Sequence, residues 1–413
     1  MLLATTGHIL SQKLVEPRKL SWMASVKELF VCGLVIALAW VLTSCSSTVQ
    51  SPPLPKPTPT LVLHAPGSLF TSSDTFPNLQ FPEGITSWKN KIYTATYNVA
   101  DPHSSRILVF SASTGELLNT LGGKPGQELI SAGALLGLTI DRNTGNLYCA
   151  ANFAGEILQI RNPDSDTPQI SIYATYPKGG GPEDLVFGKD GTLYASDSNL
   201  GVVYSIAPGG GKVNLLIGPP SSGAPISDNK LFAAPVAGLS PNGIVFSLDW
   251  RTFYVANTWS DSIIAFDVNP AGQVTGNPRV FAQNPNPDLE EIPTGFDALK
   301  TKATKIGASA STPLNGPDGL ALDSLGHIWV ASILGDNLTV LDAKTGKVIT
   351  TYGTSAVTQG GVLNNPAGMT FVGTTVYCSN LGIFTGLAGK PKLAFRLAEF
   401  KVGVPGAGGN GNY

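Results

Sequence analysis

Six positions in this chain hold the same place in a repeated pattern, and four of them carry side-chain oxygen. These are Glu83, Glu183, Asn242 and Asp318, with Leu136 and Ala367 at the other two. Each is the middle residue of a short opening triplet ahead of an apolar run: PEG (82–84), LLG (135–137), PED (182–184), PNG (241–243), PDG (317–319) and PAG (366–368). Three ionised carboxylates and an amide gathered at one point would repel one another if nothing lay between them. A hard cation resolves that conflict, because Ca²⁺ accepts carboxylate, amide and water oxygens in flexible geometry. No Cys or His occupies these positions, which argues against a soft-metal site. Turn chemistry is the plain alternative for each residue taken singly, since Asp and Asn favour turns that lead into strands.

The elements that must position these residues are legible as a repeat. An aromatic follows each triplet by about a dozen residues: Tyr93, Tyr148, Tyr194, Tyr254, Trp329 and Tyr377. Their spacing, about 45 to 75 residues, falls in the range of propellers. Residues 317–342 read PDGLALDSLGHIWVASILGDNLTVLD, which is three short apolar runs separated by a Gly-containing turn and a loop. The segment GKVITTY (346–352) supplies a fourth run. Runs this short, bounded by Gly, Asp and Asn, are strands. The expectation is an all-β, six-bladed β-propeller of four-stranded antiparallel blades. The innermost strand of each blade lines the axis, so the six middle residues converge at one rim. The sixth unit lacks a fourth strand. The run TLVLH (60–64) is expected to complete it, closing the ring with an N-terminal strand and leaving no unpaired edge.

The 413 residues include 47 Gly and 31 Pro, only 13 % are charged, and the net charge is −2. Without a basic patch, nucleic acid is not an expected partner. The chain divides into a lipoprotein-type signal peptide (1–44), a Pro/Ser/Thr-rich tether (45–58), a propeller (59–402) and a Gly-rich C-terminal tail (403–413). The apolar stretch 29–42 is short for a membrane span and suits a signal h-region, with an uncleaved anchor as the other reading. Met23, just ahead of Lys27, offers an alternative start. The segment LTSC (42–45) resembles a bacterial lipobox, which makes Cys45 the lipidation site. An exported lipoprotein follows, periplasmic or at the cell surface and tethered to the membrane. Cys149 and Cys378 fall at the same place in non-adjacent units, too far apart for a disulfide, and are expected as buried thiols.

The segment PNGIVFSLDWRTFYVANTWSDSIIAFDV (241–268), followed by PDGLALDSLGHIWVAS (317–332), resembles the senescence-marker/gluconolactonase/luciferin-regenerating-enzyme family. FPEGITSW (81–88) is similar to that family's glutamate-bearing opening strand, and the likeness extends in diluted form over about residues 60–402. The resemblance implies a six-bladed fold with a divalent cation at its axis and hydrolysis of lactones or organophosphate esters. It matches Glu83, Asn242 and Asp318 to metal ligands, and Asp318 also to the general base or nucleophile. Ca²⁺ is the expected ion, with Zn²⁺ or Mn²⁺ as alternatives. Where the family often has Asn-Asp, this chain has Glu183-Asp184; Glu183 can still ligate but adds charge, which leaves the substrate open.

Residues on the loops of the same rim are expected to contact substrate: His103, Asn257 and Trp259, with Phe296 in a long insertion (284–316) that reads as a lid. His327 belongs to the opposite rim and has no expected role. No G-x-S-x-G is present for serine-hydrolase chemistry. The leading expectation is therefore a gluconolactonase-like, metal-dependent hydrolase of a small lactone or ester, monomeric by default. The alternatives are an NHL-like, non-enzymatic propeller that binds a protein or glycan on its rim, and a strictosidine-synthase-like or lyase activity.

Overall fold

The computed structural model describes residues 58–71, 80–98, 101–122, 129, 134–227, 240–285, 312–356, 360–382 and 396–408. Two compact units divide the chain, Met1–Thr58 and Pro59–Tyr413. The expected signal peptide, Cys45, nearly all of the tether, Phe296 and most of the 284–316 insertion lie outside the described residues.

The regular elements in the described part of the second unit are strands, apart from two single 3-10 turns, Pro102–Ser104 and Pro220–Ser222. After β1 (Gly67–Leu69), the strands β2 (Phe81–Trp88), β3 (Lys91–Tyr97), β4 (Arg106–Ser111) and β5 (Leu117–Gly122) form an antiparallel meander. A second meander comprises β6 (Leu135–Ile140), β7 (Leu147–Ala151), β8 (Glu156–Arg161) and β9 (Gln169–Thr175). A third comprises β10 (Pro182–Phe187), β11 (Leu193–Asp197), β12 (Val202–Ile206) and β13 (Gly211–Gly218), followed by the short β14 (Ile226–Ser227) parallel to β13. A two-residue parallel contact of β9 with β13 merges the second and third into one sheet. The fourth holds β15 (Ile244–Phe246), β16 (Thr252–Asn257), β17 (Ser262–Val268) and β18 (Val274–Gln283). The fifth holds β19 (Pro317–Leu322), β20 (Ile328–Ser332), β21 (Asn337–Leu341) and β22 (Val348–Tyr352). The last sheet takes β23 (Pro366–Val372), β24 (Thr375–Asn380) and β25 (Arg396–Lys401), and β1 pairs antiparallel with β25.

First strands neighbour one another in a cyclic order: β2, β6, β10, β15, β19, β23 and back to β2. This explains their burial. β6 is buried along its whole length, while the outer strands β5 and β22 start exposed. An inner strand flanked by two neighbours must be apolar on both faces, whereas an outer strand meets water. The architecture is all-β and propeller-like.

The repeated aromatics hold the sheets together. Tyr93, Tyr148, Tyr194, Tyr254, Trp329 and Tyr377 are all buried, one on the second strand of each group. Several also reach a neighbouring group with their polar tip: Tyr93 Oη donates to Asp164 (2.6 Å), Tyr254 Oη to Ala343 O (3.3 Å) and Tyr377 Oη to Ala112 O (3.0 Å). A buried tyrosine thus adds apolar area and keeps its hydroxyl bonded.

Only the fourth opening triplet, 241–243, lies ahead of its strand. The other five lie inside the first strand as a bulge, with pairing that skips from Pro82 to Ile85, Leu135 to Leu138, Pro182 to Leu185, Pro317 to Leu320 and Pro366 to Met369. A bulge frees two residues from the ladder and re-aims their side chains. It also lets neighbouring backbones touch. A Cβ on Gly84 would lie 2.1 Å from Leu136 O, and one on Gly243 would lie 2.3 Å from Asp318 O. Gly84→Ala is therefore expected to destabilise the fold by about 2–3 kcal/mol, the upper range for overpacking, read as a lower urea midpoint. An unchanged midpoint would mean that the strands can part without cost.

Two boundaries differ from expectation. The TLVLH run (60–64) is not strand; the added strand is β1, a few residues further on, while Val62 N still bonds Val402 O at 2.8 Å. An edge strand forms where its backbone meets a partner's open edge, which hydrophobicity alone does not locate. The first residues of the expected tail are packed: Val404 and Ala407 are buried and Gly406 bridges Asp323.

Candidate active site

Four of the middle residues, Glu83, Glu183, Asn242 and Asp318, are buried at the starts of first strands, and Asp184 joins them. Their mutual effects give the geometry. Burial holds the Glu83 carboxyl well above the usual carboxylate range, and the charges of Asp318, Glu183 and Asp184 push it further, against a backbone hydrogen bond from Gly84. Asp318 is pushed up to about 7 by burial and by Asp184, with a hydrogen bond from Asn242 opposing. Glu183 is pushed up to about 8, by burial first and by Asp318 and Asp184 as well, although the Ser198 hydrogen bond opposes the rise. Residues from four sheets therefore form one electrostatic cluster.

Within it the roles differ. Glu83 Oε2 and Asp318 Oδ1 are buried and have no hydrogen-bond partner. Asn242 Nδ2 donates to Thr258 Oγ1 (3.3 Å), and Thr258 Oγ1 donates to Pro317 O (2.7 Å), which ties the fourth group to the fifth. Glu183 stands apart from the other three: its Oε2 accepts from Ser198 Oγ (2.5 Å) and from Asn152 Nδ2 (3.4 Å). Asp184 occupies the third triplet place, which is Gly in the other five, and its Oδ2 accepts from Ile244 N at 3.0 Å. Just inside the ring lies a cavity of about 20 Å³ bordered by Glu83, Asp184 and Asn242. That is room for one water-sized occupant.

Among the described residues, no group of three or more His, Cys, Asp or Glu side chains stands poised around one ion. A set of two carboxylates and an amide falls outside that pattern, yet its oxygens are hard donors. Two of those oxygens are buried and unpartnered, so the residues fit a hard ion.

The expected substrate residues are scattered. His103 is exposed in the 3-10 turn. Asn257 is buried, and its Oδ1 accepts from Ser240 Oγ (2.5 Å) and Ser260 N (3.0 Å), so it fastens the loop. Trp259 is also buried, and its backbone N–H donates to Ser240 Oγ (3.3 Å). His327 pairs its Nδ1 with Asp323 Oδ2 at 2.8 Å on the other rim. Cys149 and Cys378 are buried free thiols, both pushed up by burial. The sequence reading missed Asn152, Ser198 and the carboxylate of Asp184. Only Asp184 left a signal, as the one non-glycine at its triplet place.

An all-β, propeller-like chain with a buried carboxylate cluster at the starts of its inner strands defines a class, and comparison with known proteins gives the family. The SMP-30/Gluconolactonase/LRE-like region matches residues 98–361, so the chain belongs to this family. A calcium-binding protein, regucalcin, from Agrobacterium tumefaciens superposes with a TM-score of 0.56 at 15% identity, covering 84% of this chain and 97% of its own. A gluconolactonase from Xanthomonas campestris gives 0.51 at 16% identity, covering 83% and 94%. A luciferin-regenerating enzyme gives 0.53 at 13% identity, covering 79% and 93%. At these identities the structural likeness speaks for the fold.

Proposed function

We propose that this chain hydrolyses a small lactone or ester with the help of a divalent cation held by its axial carboxylates. The scaffold in this reading is a six-bladed ring of four-stranded blades, the last completed by β1. The observation that carries the proposal is the pair of buried, unpartnered oxygens, Glu83 Oε2 and Asp318 Oδ1, beside the Asn242 amide. Leaving buried carboxylate oxygens without partners costs roughly 1–3 kcal/mol each, more for charged groups. Membership of a family that includes gluconolactonases supports the hydrolytic reading.

Glu83, Asn242 and Asp318 would hold the ion, with Ca²⁺ expected and Zn²⁺ or Mn²⁺ as alternatives. When bound, it supplies a Lewis acid for the substrate carbonyl and for the charge that develops on its oxygen. Asp318 accepts a proton from the attacking water. Thr258 fixes the Asn242 amide. Ser198 and Asn152 hold the Glu183 carboxyl within the cluster.

The test is calorimetric titration of the full chain with Ca²⁺, Zn²⁺ and Mn²⁺, for wild type and the Glu83→Gln/Asp318→Asn double variant, followed by a lactone and ester screen. Saturable binding that the double variant loses, together with turnover of a lactone or ester, is the expected result. If no ion binds and no substrate turns over, the proposal fails and a rim-binding propeller becomes the better account.

A further inference from the structure

We propose a second ligand site, for a neutral carbohydrate, on the rim opposite the axial carboxylates. A cleft of about 360 Å³ opens there between the turns of the second and third groups, within the range of small-ligand sites. Its floor is aromatic. The Tyr148 ring lies edge-on to Tyr173 at 4.9 Å and to Phe187 at 5.0 Å. Trp250, from the turn between β15 and β16, forms a further wall.

The polar lining decides the ligand class. Arg142 and Lys189 bring positive charge and Asp141 brings negative charge. Arg142 is steadied by Trp88, whose ring it overlies at 5.6 Å. Asp141 is held in its own turn by Asn143 N (3.0 Å) and Thr144 Oγ1 (2.6 Å). A cleft with both signs beside an aromatic floor is poorly matched to a simple anion or cation. A sugar ring satisfies both parts, setting its C–H face on the aromatics and its hydroxyls, each donor and acceptor, against the charged side chains.

Trp250 is the independent observation. Its backbone is left-handed, with φ 57°. The equivalent turns of four other groups put glycine in that conformation, at Gly145, Gly191, Gly326 and Gly373, and the first group puts the flexible Lys89 there with φ 55°. A bulky residue there carries strain of order 1–3 kcal/mol, which persists where the side chain has a use. Packing on Phe246 at 5.3 Å holds the indole in place beside the cleft.

The experiment is ligand-observed saturation-transfer NMR on the full chain, titrated with glucose, N-acetylglucosamine, maltose and cellobiose. At least one sugar should bind the wild type. Its affinity should fall about tenfold or more in Lys189→Ala and in Trp250→Gly, where glycine keeps the left-handed backbone without strain. Asp318→Asn should leave sugar binding unchanged. The proposal is overturned if none of the four binds, or if binding survives Trp250→Gly. Loss of binding in Asp318→Asn with retention in Trp250→Gly would also overturn it, by moving the sugar to the axial cluster.

Discussion

Asp318→Asn is expected to lower turnover of a lactone or ester by about 10²–10⁴-fold, the usual worth of a positioned general base. Asparagine matches aspartate in shape and can still bond Asn242, but it cannot accept a proton at the reacting water. The same change removes a negative charge from a cluster where Glu83, Glu183 and Asp184 already repel one another. The variant should therefore melt no lower than wild type in the absence of a cation, and higher at alkaline pH. Two measurements separate the causes: kcat at saturating cation and substrate, and Tm in the presence of EDTA. Turnover within about fivefold of wild type at saturating cation would remove Asp318 from the base role. A collapse of Tm would assign the lost activity to misfolding.

Without a cation, stability should fall as pH rises from about 4 to about 8. Glu183 keeps its proton up to about 8 and Asp318 up to about 7, both chiefly because of burial, and Glu83 is raised by burial and by the charges around it. In the unfolded chain these groups release their protons near the ordinary values of 4.5 and 3.8. Between those limits the folded chain binds more protons than the unfolded one, so unfolding is favoured as pH rises. The unfavourable contribution of Glu183 and Asp318 is absent below about pH 4 and complete above about pH 8. A divalent cation should reverse the trend, because its ligands must be deprotonated and binding strengthens with pH. At about a hundred times its Kd, it contributes about 2.7 kcal/mol, or several degrees in Tm for a chain of this size. Thermal melts from pH 4.5 to 9, with EDTA and with millimolar Ca²⁺, read both effects. A flat profile in EDTA, or a Ca²⁺ shift that does not grow with pH, would contradict the carboxylate cluster.

Much of the scaffold was legible because its signals are local. Triplets such as Pro317-Asp318-Gly319 and aromatics such as Trp329 recur in a fixed frame within each unit, since each unit must form the same meander and bury the same face. That frame also picked out Glu83, Glu183, Asn242 and Asp318 as residues that meet, and the structure brings them into one electrostatic cluster. The likeness of 241–268 and 317–332 to a known family pointed to the family in which the chain is found.

The hydrogen-bond partners of particular strands and side chains were not legible. The strand that pairs with β25 is Gly67–Leu69 and not the more apolar 60–64, because a partner's open edge selected it. Asn257 lies beside a triplet in the repeat frame, but Ser240 and Ser260 claim its side-chain oxygen. Glu183 shares its place with the other middle residues, yet Asn152 from the preceding group and Ser198 from its own turn it aside. Sequence alone determined the repeating unit and which residues share one place in it, because a strand's hydrogen bonds and alternating faces belong to a few consecutive residues. Tertiary structure decided which of those carboxylates are paired and which keep an oxygen without a partner, because that depends on atoms that only folding brings within hydrogen-bond reach.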